Sequence, residues 1–289
     1  MQPLDSSLAA RPWGEHVPPV IMFNKSHSGS RILARLMSAS GLYLGAEVNE
    51  SEDAFGLLDF VRPLVEGHYP DYSAVLDGSD TEWGSLAADV FRHHLSGCEP
   101  GRRWGWKLCE TLYILPVLWR MFPSAYYVHL VRDGRDVAFS DHVSPRESFW
   151  RKVYFDTAAI SRWKGMDLTD KNYRRNTHLF NARHWVNSVS VARHFGAMIG
   201  SNYIEVKYED LVGRPRETAC WLLERIGVAP SDHVIDQFAA SVRLDAVGKF
   251  RKKPIRKQRE AEAILRPTLE AFGYGLEAEP QSFRKWFWG

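Results

Sequence analysis

Residues 20–41 read VIMFNKSHSGSRILARLMSASG and lay out the first elements of a fold. The apolar run at 20–23 is short enough for a buried strand, and the small polar residues at 24–30 are typical of a loop. From residue 31 onward, apolar side chains recur at helical spacing until Gly41, a residue that commonly ends helices. The predicted order is therefore strand, polar loop and helix.

The same alternation continues along the chain. Further strands are predicted at 104–108, 125–131 and 203–207. Further helices are predicted at 111–122, 134–142, 181–197, 214–226 and 231–240, with Trp185 packing its helix onto the sheet. Strands separated by helices favour a parallel sheet covered on both faces. The fold class is thus α/β, with a central parallel sheet flanked by helices.

Composition sets the limits of the fold and of its partners. The 289 residues are 45% hydrophobic and 25% charged, which is typical of a globular chain rather than a disordered one. We predict an irregular lead-in at 1–18 and one domain at 19–289, with an acceptor-site insertion around 143–180 where no periodicity is visible. A net charge of +2 gives no reason to expect nucleic-acid binding.

The cysteines and the chain ends bear on the cellular compartment. The three cysteines form no CxxC pair and no His/Cys spacing of a metal site, so neither a disulfide framework nor a metal is predicted. The N-terminus lacks the pattern of a secretory signal, and no run approaches the ~20 apolar residues of a membrane span. We therefore expect a cytoplasmic location. The aromatic and basic tail at 283–288 leaves peripheral membrane contact open.

The loop at 24–30 is the first candidate site. A turn of small residues between a strand and a helix exposes backbone N–H groups at the positive end of the helix dipole, where phosphate binds. A plain connecting loop is the alternative. Gly29 is followed by Ser30 and Arg31 rather than by the Lys-Ser/Thr pair of nucleotide triphosphatases, which disfavours a kinase or ATPase. Three side chains are cationic or able to donate a proton around a phosphate: Lys25, His27 and Arg31.

The stretch LVRDGRDVAFS at 130–140 is the second candidate. Arg132 follows the strongest predicted strand, and ligands of open α/β sheets bind at the carboxyl ends of strands. Ser140 comes eight residues later, so that one guanidinium and one hydroxyl can grip a single phosphate. In the alternative interpretation Asp133 and Asp136 form only surface salt bridges.

These two stretches, followed by VKYEDL at 206–211, together resemble the sulfotransferases that use 3′-phosphoadenosine 5′-phosphosulfate (PAPS). The resemblance runs from about residue 19 to 275. It implies a P-loop-like fold, PAPS as co-substrate, 3′-phosphoadenosine 5′-phosphate (PAP) as product, and no metal. It also implies a 3′-phosphate clamp of Arg132 and Ser140, with Tyr208 near the adenine. The residues implied to hold the 5′-phosphosulfate are Lys25, Ser26, His27, Ser28, Gly29, Ser30 and Arg31.

The sequence departs from the family pattern at two places. His27 stands where a basic residue is expected and Lys25 lies two positions early, so either side chain can serve the leaving group. Phenol-type members carry a Lys-Thr-His-Leu-Pro segment whose His is the base, but the corresponding stretch here is KLCET at 107–111. That difference favours a carboxylate base.

Sulfuryl transfer requires a base for the acceptor and a cation for the leaving nucleotide. Glu50 lies 23 residues after His27, a distance similar to that of the catalytic Glu in glucosaminyl-type members, and is the predicted base. Asp53 and Glu110 are the substitutes, and a solvated acidic loop is the alternative. Lys107 matches a Lys that those members keep near the sulfate.

A basic run at 243–259 completes the candidate residues. The segment VGKFR at 247–251 resembles the family segment that folds over the nucleotide, so Lys249 and Arg251 are assigned to PAPS and the other cations to solvent. The expected acceptor is a hydroxyl of a small molecule, a glycan or a lipid-linked molecule. The alternative functions are a P-loop nucleotide kinase and a non-catalytic nucleotide-binding relative.

Overall fold

A computed structural model of the chain describes residues 12–80, 82–140, 170–229 and 231–275. Its sheet has the strand order β2-β1-β3-β4, and every neighbouring pair is parallel. The strands are β1 (Val20–Asn24), β2 (Gly105–Lys107), β3 (Tyr126–Val131) and β4 (Tyr203–Lys207). The predicted α/β fold with a central parallel sheet is confirmed.

Helices follow the strands as predicted and also occupy stretches for which no element was predicted. The α-helices are α1 (Arg31–Ala39), α2 (Leu58–His68), α3 (Ser73–Leu76), α4 (Glu82–His94), α5 (Leu115–Met121), α6 (Gly134–Ala138), α7 (Asp170–Ile199), α8 (Tyr208–Gly213), α9 (Pro215–Arg225), α10 (Asp232–Ser241) and α11 (Ile255–Ala271). Short 3-10 turns lie at Phe55–Leu57, Cys109–Ile114, Gly200–Asn202 and Lys249–Lys252.

The helix predicted at 111–122 differs from the observed one. The chain forms a 3-10 turn over Cys109–Ile114, and the α-helix begins only at Leu115. Pro116 lies in the first turn of α5, where its missing N–H and fixed φ are tolerated, whereas a continuous helix would place it in the interior. Of the insertion predicted around 143–180, residues 143–169 lie outside the described residues and 170–180 belong to α7.

Register brings the carboxyl ends of the strands to one edge of the sheet. Met22 of β1 pairs with Lys107 of β2 and with Val128 of β3, and Val131 of β3 pairs with Lys207 of β4. Because parallel strands end on the same side, the residues that follow each of them meet at this edge. All five residues of β1 are buried, as expected of a central strand covered on both faces.

Separate apolar clusters pack on the sheet and behind its carboxyl edge. Trp104, Trp106 and Phe91 centre one cluster, and the α1 face packs with Met22 and Val128 in another. Trp185 of α7 is fully buried in a third, as predicted, and its indole N–H donates to the Arg132 carbonyl at 3.0 Å. In the described parts of the chain, no helix is long and apolar enough to cross a membrane.

Candidate functional site

The residues that follow the four strands converge at the carboxyl edge of the sheet. Lys25 follows β1, Lys107 ends β2, Arg132 follows β3 and Tyr208 follows β4. The parallel topology alone therefore assembles side chains that are far apart in sequence.

The turn after β1 is closed by its own polar groups. The Ser28 N–H and hydroxyl both donate to the Lys25 carbonyl, at 3.2 and 2.6 Å. Positive φ values of 67° at His27 and 83° at Gly29 turn the chain back toward α1. Ser30 is the N-cap of α1 and makes no side-chain cap hydrogen bond. The turn thus leads into the amino end of a nine-residue helix, where first-turn amides without intrahelical acceptors can bind an anion.

Tyr208 lies against both predicted phosphate-binding stretches. A Cβ added to Gly29 would come 2.6 Å from Tyr208 Cε2, so the ring touches the Gly29 backbone. The Arg132 guanidinium lies over the same ring, 4.7 Å from its centroid. One aromatic side chain therefore contacts both the loop after β1 and the arginine after β3, so the two predicted phosphate-binding stretches lie side by side.

A Gly29→Ala variant tests this contact. An alanine would need a left-handed φ and would collide with the ring of Tyr208. We expect PAP affinity to fall about tenfold or more, ~1.4 kcal/mol, measured by calorimetry. Gly41→Ala is the matched control, because Gly41 has φ of 90° but no atom within 4 Å of an added Cβ. Equal PAP affinity in the two variants would contradict the role of the contact.

A buried carboxylate fastens a later segment of the chain to this site. Asp136, whose side chain is 1% exposed, accepts the N–H of Gly248 at 2.8 Å and that of Phe250 at 3.0 Å. Arg132 donates to the Ala246 carbonyl and lies 3.4 Å from the Asp136 carboxylate. We call residues 246–252 the strap. The alternative interpretation, in which Asp136 forms only a surface salt bridge, is wrong, because its carboxylate is buried and accepts two N–H groups of the strap.

Asp136→Asn should loosen the strap, because an amide can accept only one of the two N–H groups and no longer carries the charge that faces Arg132. We expect faster hydrogen exchange at the Gly248 and Phe250 amides and PAP binding weaker by ~1.5 kcal/mol. Asp232→Asn, on the exposed start of α10, is the control. Unchanged exchange at both strap amides would refute this role of Asp136.

The strap presents the basic residues predicted to reach the nucleotide. Gly248 adopts a φ of 73°, and the 3-10 turn Lys249–Lys252 follows it. The buried Phe250 ring has the guanidinium groups of Arg135 and Arg251 each 4.9 Å from its centroid. Lys249 is exposed. The segment is therefore fixed beside Arg132 with cationic side chains around it.

The turn after β3 rests on a buried polar network. Asp133 binds Arg135 through both carboxylate oxygens, at 2.7 to 3.1 Å, and its N–H donates to Glu209 at 2.9 Å. The Tyr274 hydroxyl donates to the other Glu209 oxygen at 2.9 Å. Burial raises the pKa of Glu209 to about 7. Glu209 was missed at the sequence level, where the YEDL motif was noted only for its tyrosine.

Ser140 closes α6. Its hydroxyl donates to the Val137 carbonyl at 2.6 Å, and its own carbonyl accepts from the Asn181 amide at 2.9 Å. Ser140 is half-buried. The hydroxyl would have to exchange its local acceptor for a phosphate oxygen, so the clamp with Arg132 stays a prediction.

Lys25 and His27 differ in exposure. The Lys25 side chain is 1% exposed, and its ammonium donates to the carbonyl and hydroxyl of Ser26, both at 3.0 Å. Burial lowers the pKa of Lys25 to about 7. His27 is exposed at the tip of the turn. Of the two side chains, only that of His27 is open to solvent.

The carboxylates predicted as the base lie in different surroundings. Glu50 is exposed. Asp53 pairs with Lys107 at 2.7 Å, and Lys107 also donates to the Ser51 carbonyl at 2.6 Å. Glu110 is buried behind β2, and burial raises its pKa to about 7. The three carboxylates thus have different environments: Glu50 is solvated, Asp53 is ion-paired and Glu110 is buried.

A small cleft opens beside the turn after β1. Its lining residues are Asn24, Ser26, Cys109, Glu110, Leu112, Tyr113 and His184. His184 Nε2 lies 2.7 Å from the Tyr113 hydroxyl. The sequence analysis missed Tyr113 and His184, because α7 reaches the cleft only through tertiary packing. The three cysteines are free thiols, and no cluster of metal-ligating side chains occurs within the described ranges.

Comparison with known proteins adds a family and a fold. The sequence matches the Sulfotransferase family over residues 26–232, more than half of the chain. No curated protein matches it. The structure of sulfotransferase STF9 from Mycobacterium avium superposes with a TM-score of 0.52 at 12% identity, over 91% of this chain and 78% of that one. This likeness confirms the predicted fold.

Two further solved structures are similar. The sulfotransferase domain of the Synechococcus PCC 7002 olefin synthase has a TM-score of 0.49 at 18% identity, over 96% of this chain and 100% of its own. Retinol dehydratase in complex with retinol and PAP has a TM-score of 0.43 at 14% identity, over 93% of this chain and 86% of its own.

Proposed function

Because the chain belongs to the sulfotransferase family, we propose that it moves a sulfuryl group from PAPS to a hydroxyl of a carbohydrate or another small-molecule acceptor. The observation that carries this proposal is the Tyr208 ring, which contacts Gly29 of one predicted phosphate-binding stretch and Arg132 of the other. PAPS carries anionic groups at both ends of its ribose. Two anion-binding stretches side by side therefore match its chemistry.

The 5′-phosphosulfate is assigned to the amino end of α1 and the turn before it. The amides of residues 29–31 are assigned to binding the anion, because the Ser28 N–H already donates to the Lys25 carbonyl. The helix dipole also favours negative charge there. Lys107, held at the end of β2 by Asp53, provides a buried cation nearby on the adjacent strand. These groups bind and orient the donor without a metal.

The 3′-phosphate is assigned to Arg132 and Ser140, with Lys249 and Arg251 on the strap as supporting cations. Arg132 is 11% exposed and lies over the Tyr208 ring, 4.7 Å from its centroid, which restricts the orientation of its planar donors. A guanidinium can bind a phosphate through two N–H groups at once. The strap adds positive charge on the same side.

In the reaction, the acceptor oxygen attacks sulfur while the bond between sulfur and the bridging oxygen of PAPS breaks. The acceptor loses its proton to a base, and PAP leaves with the electron pair of the broken bond. We assign the stabilisation of this leaving oxygen to His27, because it is exposed at the tip of the turn. Lys25 is assigned to holding the turn through Ser26.

Sulfur-labelled PAPS tests the function directly. The purified protein is incubated with PAPS and a panel of phenols, alcohols, sugars and lipid extracts, and labelled product is measured together with the shift in melting temperature caused by PAP. Consumption of PAPS with stabilisation by PAP is expected. Stabilisation without turnover on any acceptor would favour the non-catalytic relative, and ATP turnover with magnesium but no PAP binding would favour the kinase.

A further inference from the structure

The cleft beside the turn after β1 contains a carboxylate that the proposed function has not yet used. Glu110 lies in the 3-10 turn that follows β2 and is 8% exposed. It shares the cleft with Asn24 and Ser26, which end β1 and begin the turn assigned to the phosphosulfate. We propose that Glu110 is the base of the transfer and that this cleft receives the acceptor hydroxyl. This inference rests on the proposed sulfotransfer.

Glu110 lines the same cleft as a residue of the assigned donor site. Ser26 belongs to the turn assigned to the phosphosulfate and also lines the cleft, so the cleft adjoins the assigned donor site. Tyr113 and His184, 2.7 Å apart, line the same cleft and offer a hydroxyl and an imidazole for hydrogen bonds with an acceptor. A polar acceptor group would therefore be held between the donor and the carboxylate.

The charges around Glu110 set its strength as a base. Burial is the main cause that raises its pKa to about 7, and the nearby Asp53 carboxylate raises it further, whereas Arg62 and Lys107 lower it. In the same cluster, burial raises the pKa of the Cys109 thiol and lowers that of Lys25 to about 7. His184 and Tyr113 also face the cleft. A carboxylate of this kind accepts protons more readily than a solvated one, yet is ionised above neutral pH.

The other two carboxylates are placed less well for this role. Asp53 Oδ1 lies 2.7 Å from the Lys107 ammonium, so this carboxylate is already engaged in an ion pair with a buried cation. Glu50 is exposed to solvent, and the cleft does not include it. Glu110 alone combines burial with a place in the cleft. In the proposed step one of its oxygens takes the acceptor proton as the new oxygen–sulfur bond forms and the bond to PAP breaks.

Turnover of Glu110→Gln, Glu50→Gln and Glu224→Gln tests the assignment, with Glu224 on the exposed face of α9 as control. We expect Glu110→Gln to lower kcat about 10²–10⁴-fold, with PAP affinity within about twofold of the wild type. A Glu110→Asp variant should keep part of the activity. The rival assignment predicts the larger loss for Glu50→Gln, and that order would overturn the inference.

Two pH readouts separate a base from a structural residue. In the wild type, kcat should fall as pH drops below about 7, and this acidic limb should disappear from the residual activity of Glu110→Gln. Because the pKa of Glu110 is raised in the folded state, its ionised form destabilises the fold. The free energy of unfolding of the wild type should therefore decrease as pH rises from the unfolded-state pKa to about 7. The melting temperature of Glu110→Gln should therefore exceed the wild-type value increasingly from pH 5 to 7.5.

These readouts also distinguish the two levels of the proposal. If the wild type does not bind PAP, the proposed function fails. If the wild type binds PAP and transfers sulfur while Glu110→Gln keeps its kcat, only the assignment of Glu110 fails. A melting-temperature difference that does not change with pH, or a variant that melts below the wild type at pH 8, would also overturn it, because the kcat loss would then reflect a structural defect.

Discussion

A His27→Ala variant is expected to lose about 10²–10³-fold in kcat, or ~2.7–4 kcal/mol of transition-state stabilisation. Negative charge develops on the bridging oxygen as PAP leaves, and a donor fixed at that point stabilises the transition state more than the bound substrate. His27 is exposed at the tip of the turn, whereas Lys25 and Ser28 of the same turn are buried. PAP affinity should change less than kcat, as measured by steady-state kinetics and calorimetry.

Lys25→Met is the comparison for this result. Methionine keeps an unbranched side chain but cannot donate to Ser26, and it removes a buried ammonium whose pKa burial has lowered to about 7. We expect a smaller loss of kcat than in His27→Ala. Because the buried amine costs the wild type most stability below pH 7, the melting temperature of the variant relative to the wild type should be highest there and fall as pH rises. A larger kcat loss in Lys25→Met would move the leaving-group role to Lys25. If neither variant slows the transfer, the assignment of this turn is wrong.

Arg132→Ala is expected to weaken PAP binding by ~1.5–3 kcal/mol, the contribution of a charge-assisted hydrogen bond to a phosphate. That is about 10- to 100-fold in Kd. Adenosine 5′-phosphosulfate has no 3′-phosphate, so its affinity should change far less. Arg132→Ala also removes the contacts of Arg132 with Tyr208 and the Ala246 carbonyl, and this loss affects the binding of both ligands. The difference between the two affinity losses therefore reports the 3′-phosphate contact alone.

Calorimetry with both ligands measures this difference, with Arg266→Ala on the exposed face of α11 as the control. Melting temperatures show whether the loss of the strap contact unfolds the site. Equal losses of affinity for PAP and for adenosine 5′-phosphosulfate would refute the 3′-phosphate clamp.

The fold could be predicted where local patterns and tertiary structure agree. The apolar run at 20–23 and the AYYVHLV stretch at 125–131 are strands because both their faces are buried. Gly227 ends α9 with a φ of 69°, as its position suggested. The helix predicted to begin at residue 111 begins only at Leu115, with Pro116 in its first turn, where a proline is tolerated.

The site could be predicted only in part. Residues directly after strands, such as Lys25 and Arg132, could be found because parallel strands end at one edge. Asp136 and His184 could not be assigned, because their partners lie more than 70 residues away along the chain. Glu110 is buried whereas Glu50 is exposed, and this difference could not be predicted, because no short sequence motif indicates the burial of a carboxylate.

A crystal structure of the protein with PAP tests most directly whether one nucleotide contacts both predicted phosphate-binding stretches. We expect the 5′-phosphate on the amides of residues 29–31 and the 3′-phosphate within hydrogen-bond distance of Arg132 and Ser140. We also expect the cleft at Glu110 to open toward the 5′ end. A nucleotide that touches only one stretch, or Ser28 and Ser140 lining different cavities, would contradict this expectation.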